Sequence, residues 1–282
     1  MSVTVIISRS GSVRDSTSEN ALARRIAGQF GVPVIVTPHL YHLPDKSPLW
    51  QELCAIDGDI VLISRLFPRP AEWLFRSRGA KAKKITAYDM TFVSSSGEEL
   101  SAVMSPTSDV PGEVVERKAL TVTRWYPVVD RSRCTNCYHC LQFCLFGVHA
   151  RTDEGELLVQ NPDKCKPGCP ACSRICPHGA IIFPLYDKDP AIAGAPGLYM
   201  QPDAAAMRMY YARSGAKCPI CGESGTVLNN RKTSLETPKC QECGRPIKTE
   251  IVGQKSISPE DTTVADELDS LIDALDQLQE QK

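Results

Sequence analysis

Short apolar runs alternate with stretches of helical period along roughly the first hundred residues. Val3-Thr4-Val5-Ile6-Ile7 is a β-rich run, and Ser16 with Glu19 has the spacing of a capping box ahead of a helical stretch, Asn20 to Phe30, that Gly31 closes. Val32 to Thr37 predicts a second strand, Leu49 to Ile56 a helix, Asp59 to Ser64 a third strand, Ala71 to Arg78 a helix and Lys84 to Tyr88 a fourth strand. Strand alternating with helix implies an α/β domain with a parallel sheet over residues 1–112. Ser94 to Gly112 is rich in Ser, Pro and Gly and reads as a linker or a long loop.

The pattern then changes. Residues 124–186 are dense in cysteine and contain an internal repeat: Arg133-Cys134 recurs as Lys164-Cys165, and Cys144 with Gly147 recurs as Cys176 with Gly179. Two similar halves that each supply cysteines and short apolar strands suit a small fold nucleated by metal. Residues 187–215 follow as a Pro/Ala/Gly-rich linker and a short helix that Pro202 and Asp203 open and Gly215 ends. Residues 216–252 hold four further cysteines. Residues 258–282 form an amphipathic pattern, with Val264, Leu268, Leu271, Ile272, Leu275 and Leu278 recurring at steps of three and four.

Composition narrows the class. With 282 residues, 42% hydrophobic and 23% charged, the chain has an ordinary globular make-up, long enough for about two domains. No apolar run approaches the roughly 18 residues of a membrane span, and Met1 to Ser8 lacks a basic leader, so the expected location is the cytoplasm. Eight acids against Lys282 alone give residues 260–282 a net charge of −7, and since the whole chain is −1 the remainder holds +6. That asymmetry steers either a partner or the tail itself toward the basic body.

Thirteen cysteines have no reason to pair as disulfides in a reducing compartment, so metal binding leads. Cys134-x2-Cys137-x2-Cys140-x3-Cys144 has the spacing of a cluster-binding run. Cys165-x3-Cys169-x2-Cys172-x3-Cys176 repeats it with one extra residue, and Pro167 and Gly168 are able to turn the widened loop. This segment resembles the bacterial two-cluster 2[4Fe-4S] ferredoxins. It departs from them at Leu145, where the family usually has the proline that Pro177 keeps in the second half. The resemblance implies an α+β ferredoxin-like fold over residues 124–186 with crossed ligation: one [4Fe-4S] cluster on Cys134, Cys137, Cys140 and Cys176, a second on Cys165, Cys169, Cys172 and Cys144. Cysteines holding zinc, or a purely structural cluster, are the alternative. Arg131, Arg133, Lys164, Lys166 and Arg174 either raise the potential of such clusters or are solvated surface.

Cys218-x2-Cys221 and Cys240-x2-Cys243, 18 residues apart, form a pair of knuckles in a small zinc-ribbon-like arrangement. Zinc is preferred there to a rubredoxin-type iron. Only Arg231, Lys232 and Lys239 line the intervening segment, without aromatic residues, which argues against nucleic acid. Cys54 reads as an apolar core residue.

Fainter features sit in the first domain. Ser8-Arg9-Ser10-Gly11-Ser12 follows the first strand, where open α/β sheets bind ligands, but forms no phosphate loop. His39, Tyr41 and His42 are either an ordinary polar loop or a metal or tetrapyrrole site. Arg65, Arg69, Arg76, Arg78, Lys81, Lys83 and Lys84, interleaved with Phe67, Trp73 and Phe75, either attract an acidic partner, the tail or nucleic acid, or are a solvated helix face.

Three functions follow as expectations. The leading one is an iron-sulfur electron carrier or subunit, relaying single electrons through two [4Fe-4S] clusters to a partner oxidoreductase that docks through the acidic C-terminal helix. A second is an enzyme whose α/β domain binds a substrate reduced through the clusters. The third is a zinc-ribbon module that binds nucleic acid or protein and carries structural clusters.

Overall fold

A computed structural model describes residues 2–12, 14–93, 98–105, 110–202 and 204–215. The described residues all belong to one compact unit. The elements run β1 (Val3–Ser8), α1 (Ser16–Phe30), β2 (Val34–Thr37), α2 (Pro48–Cys54), β3 (Asp59–Ser64), α3 (Pro68–Arg76), β4 (Lys84–Asp89) and β5 (Val114–Glu116). The sheet has the order β4-β3-β1-β2-β5 and every pairing in it is parallel. Its apolar residues explain the burial: Val5, Ile6, Ile7, Ile60 to Ile63, Val34 and Val36 are almost fully enclosed, as expected of a parallel sheet covered on both faces.

One face packs on α1 and on a 3-10 turn, Glu98–Ala102, through Ala23, Ile26, Ala27, Phe30, Leu100 and Met104. The other face carries α2 and α3, whose Trp50, Leu53, Leu74 and Phe75 join Ile6, Ile60 and Leu62. α3 begins at Pro68, ahead of the Ala71 that the periodicity suggested. Proline is at home in a first helical turn, where its missing N–H has no partner to lose.

Two further features of the sheet domain differ from the sequence expectations. Ser16 and Glu19 form no capping box: the N-cap is Asp15, and it makes no side-chain cap bond. Glu19 is instead 1% exposed, accepts the Ser10 N–H at 2.8 Å and pairs with Arg9 at 3.5 Å. Its carboxylate therefore occupies the loop after β1 where a ligand would meet backbone amides. The second is β5, three residues with no readable period that add a fifth strand beside β2. Gly112 makes this possible: its N–H bonds Ala27 O at 2.8 Å, and a Cβ there would lie 1.9 Å from the Val32 carbonyl oxygen.

The chain then continues through β6 (Val128–Val129), α4 (His139–Phe143), β7 (His149–Arg151), β8 (Leu157–Val159), α5 (Ala171–Arg174), β9 (Ile181–Ile182), α6 (Pro190–Ala193) and α7 (Ala204–Ser214). β6 pairs antiparallel with β9 and β7 with β8, so the ends of the cysteine-rich segment meet. Asp189 caps α6, a short helix inside the stretch read as linker, by accepting the Ala191 N–H at 2.9 Å. α7 covers α4 through Met207, Tyr210 and Tyr211.

The cysteine segment shares the apolar core of the α2/α3 face, with Tyr126, Val128, Ile182 and Phe183 packed in the same cluster as Trp50 and Phe75. Polar bolts fix the junction. Tyr41 and Tyr126 stack at 4.3 Å and exchange bonds: Tyr41 Oη donates to Tyr126 O at 2.6 Å, and Tyr126 Oη donates to Tyr41 O at 3.0 Å. Arg124, its side chain 2% exposed, reaches Asp45 at 2.8 Å, Asp163 at 2.7 Å and the Leu43 carbonyl at 2.7 Å. Burial works against its charge, and the two carboxylates outweigh that and hold its pKa above the ordinary arginine value.

Candidate metal centre

The first cysteine loop bends through two left-handed residues that are not glycine, Asn136 at φ 55° and Tyr138 at φ 59°. Such backbone is uncommon and persists where neighbours hold it. Asn136 Oδ1 accepts the Leu157 N–H of β8 at 3.0 Å, and Tyr138 Oη donates to the Gly155 carbonyl. The loop then enters α4, which carries Cys140. In the second half the residue extra to the spacing is absorbed in a turn closed by Cys169 N–H to Lys166 O at 3.0 Å, with Gly168 left-handed at φ 75°. Leu145 is 72% exposed, and the preceding Cys144 is extended at φ −68°, ψ 119°, a conformation that needs no proline after it.

The structure sorts the eight cysteines into two groups of four. Cys134, Cys137, Cys140 and Cys176 line one cavity, a tight space of about 280 Å³ that also touches Leu157, Ala180 and Ile181. Cys144, Cys165, Cys169 and Cys172 line another, which encloses about 990 Å³ including solvent at its mouth and is therefore the more open. Each group draws three thiols from one half of the repeat and one from the other. The groups adjoin through α4 and α5, where buried Cys140 and Cys172 are close enough to act on each other electrostatically. Among the described residues no three His, Cys, Asp or Glu side chains converge on a single-ion site, so the thiols ring a space instead of a point.

The electrostatics suit a positively charged occupant. Burial, and then the neighbouring sulfurs, push Cys140 and Cys172 well above the ordinary thiol value and Cys165 up to about 12. Buried thiols crowded in this way give up their protons when a cationic core binds them. Cys176 is raised by burial, and backbone N–H groups of Ala180, His178 and Ile181 partly counter it; the Ala180 N–H points at its Sγ from 3.2 Å. Thiolate donors, inward amides and a low-dielectric lining fit an iron-sulfur cubane.

Other residues of interest have defined places. Arg133 Nε donates to His178 O at 2.7 Å and Arg174 bonds Tyr186 Oη at 3.0 Å, while Lys166 lines the mouth of the second cavity. Sequence reasoning passed over Trp125, whose Nε1 donates to Cys169 O at 3.1 Å as its ring stacks on Phe183, and His149, buried against the second cavity. A tryptophan and a histidine at strand margins carry no spacing signal. The His39 and His42 rings lie 4.5 Å apart, tilted by 35°, and His42 Nδ1 accepts the Arg124 N–H at 3.3 Å, so they serve the junction. Arg65, Arg69, Arg76 and Arg78 pair with Asp15, Asp130, Glu72 and Asp45 of the same chain. Cys54 is a core residue, 8% exposed. Cys218, Cys221, Cys240, Cys243 and the helix expected over 258–282 lie outside the described residues. Among the described residues no helix is long and apolar enough to cross a membrane.

No family model matches the chain. An uncharacterized ferredoxin of Methanocaldococcus jannaschii is 44% identical over 61 residues, which are 21% of this chain and 41% of that protein. The similarity thus spans less than half of either molecule. Taken with the paired cysteine cavities, it identifies a ferredoxin-like iron-sulfur domain in this chain.

Proposed function

We propose that the protein is a single-electron carrier, or the electron-carrying subunit of an oxidoreductase. Cys134, Cys137, Cys140 and Cys176 would hold one [4Fe-4S] cluster, and Cys144, Cys165, Cys169 and Cys172 a second. The observation that carries this reading is the sorting of eight thiols into two cavities, each completed by a cysteine from the opposite half. A bound [4Fe-4S] cluster supplies reversible one-electron chemistry. This chain's residues set the conditions for it: the Ala180 amide aims at Cys176 Sγ, Ile181 and Leu157 exclude water from the first cavity, and Lys166 places positive charge at the rim of the second. Cys140 and Cys172 lie between the two cavities and offer a short route from one to the other. Electrons would leave to a redox partner engaged by the acidic helix 258–282, with Cys218, Cys221, Cys240 and Cys243 holding a structural zinc.

The crossed arrangement makes its own test. Cys176→Ser should lower the iron of anaerobically reconstituted protein from about eight to about four atoms per chain, with one EPR signal lost and the other kept. Cys144→Ser should remove the complementary signal. Loss of the same signal in both variants would contradict the assignment.

A further inference from the structure

An open cleft lies beside the first cysteine cavity, walled by α3, the start of β4 and the turn after β6. It encloses about 1000 Å³ counting solvent at its mouth, enough for a metabolite. Arg69, Lys84 and Arg133 line it together with Trp73, Tyr199 and Thr86. We propose that this cleft binds a small multiply charged oxyanion, bearing phosphate or carboxylate groups.

The charges favour this. Two carboxylates also line the cleft, and both are engaged by the protein itself. Glu72 accepts Arg76 at 2.7 Å; Asp130, 2% exposed, accepts the Ser132 N–H and hydroxyl with one oxygen and faces Arg69 at 3.1 Å with the other. Lys84 and Arg133 have no carboxylate partner among the described residues. Positive charge is therefore left over.

The arginines are also prepositioned. Arg133 spends its Nε on His178 O at 2.7 Å and sits over the Tyr199 ring at 3.7 Å, two contacts that hold the guanidinium in place and leave its outer nitrogens for a ligand. Arg69 sits over the same ring at 4.8 Å and donates Nη2 to Gly179 O at 2.6 Å, while its buried Nη1 has no hydrogen-bond partner among the described residues. Arg69 therefore gives the wall of the cleft its positive charge, while Arg133 and Lys84 supply the donors. A guanidinium fork already held in place, as at Arg133, binds such groups bidentately with little further ordering. The carbonyls that anchor the two arginines belong to His178 and Gly179, two and three residues after Cys176, so a bound anion would sit close to the first cavity.

Calorimetry of the full-length, metal-loaded protein at low ionic strength tests this, with pyrophosphate and citrate as separate probes. Saturable binding of at least one is expected, and their relative affinity distinguishes phosphate from carboxylate recognition. Arg133→Gln and Lys84→Gln should each weaken it about tenfold or more, and Lys46→Gln, outside the cleft, should leave it unchanged. Lys84 is exposed at a strand end, so its variant keeps the test valid should Arg133→Gln fail to fold. Absence of saturable binding by both probes overturns the proposal. So does affinity untouched by the two cleft variants, or weakened equally by Lys46→Gln.

Discussion

Asn136 does two jobs with one side chain: its amide oxygen tethers the first cysteine loop to β8, and its backbone takes the left-handed turn between Cys134 and Cys137. Asn136→Ala removes the tether and leaves a residue less tolerant of that turn, with an expected loss of about 1–2 kcal/mol in denaturant unfolding. Asn136→Gly, which relieves the backbone but not the lost bond, should cost less. His39 gives a pH test. Burial and then the neighbouring His42 hold its pKa down from 6.5 to about 4. The unfolded chain binds the proton more readily, so this contribution is complete above pH 6.5 and disappears as pH falls toward 4. The difference in stability between the native protein and His39→Phe should therefore shift in favour of the variant across that window, by on the order of 1–3 kcal/mol. A difference constant with pH would contradict the assignment.

At the scale of elements, how much could be read depended on how far a signal reaches along the chain. β1, β3, β4 and the helices between them announce themselves through local periodicity and appear within a few residues of where the pattern puts them. β5 does not, because three residues after a Pro/Gly loop carry no period and their pairing is set by Gly112 meeting Val32. Ser16 and Glu19 misled for a different reason: the spacing of a capping box is also the spacing of a buried carboxylate facing Arg9, and only packing separates the two. The eight cysteines stood out because their spacings are short, whereas their division into two groups was implied only by the resemblance, since it joins residues from opposite halves of the repeat. Arg124 was not, since its partners Asp45 and Asp163 lie 79 and 39 residues away. Arg124→Ala empties a buried site and leaves the Leu43 carbonyl and the half-buried Asp45 without their donor, and should cost about 2–3 kcal/mol in chemical denaturation, an effect that a surface arginine would not produce.

At the scale of the molecule, the described residues join an α/β sheet to a cysteine-rich segment through one shared apolar core. That continuity predicts cooperative behaviour: Tyr41→Phe, which breaks the exchange with Tyr126, should lower the unfolding midpoint of both parts together and not of the sheet alone. Two separate transitions would mean that the parts fold independently. The central claim, that eight thiols hold two iron-sulfur clusters, is tested most directly by iron and acid-labile sulfide analysis of anaerobically prepared protein, joined to EPR after dithionite. About eight iron and eight sulfide per chain, with the signals of reduced [4Fe-4S] clusters, is the predicted result. Colourless, EPR-silent protein without labile sulfide would contradict it.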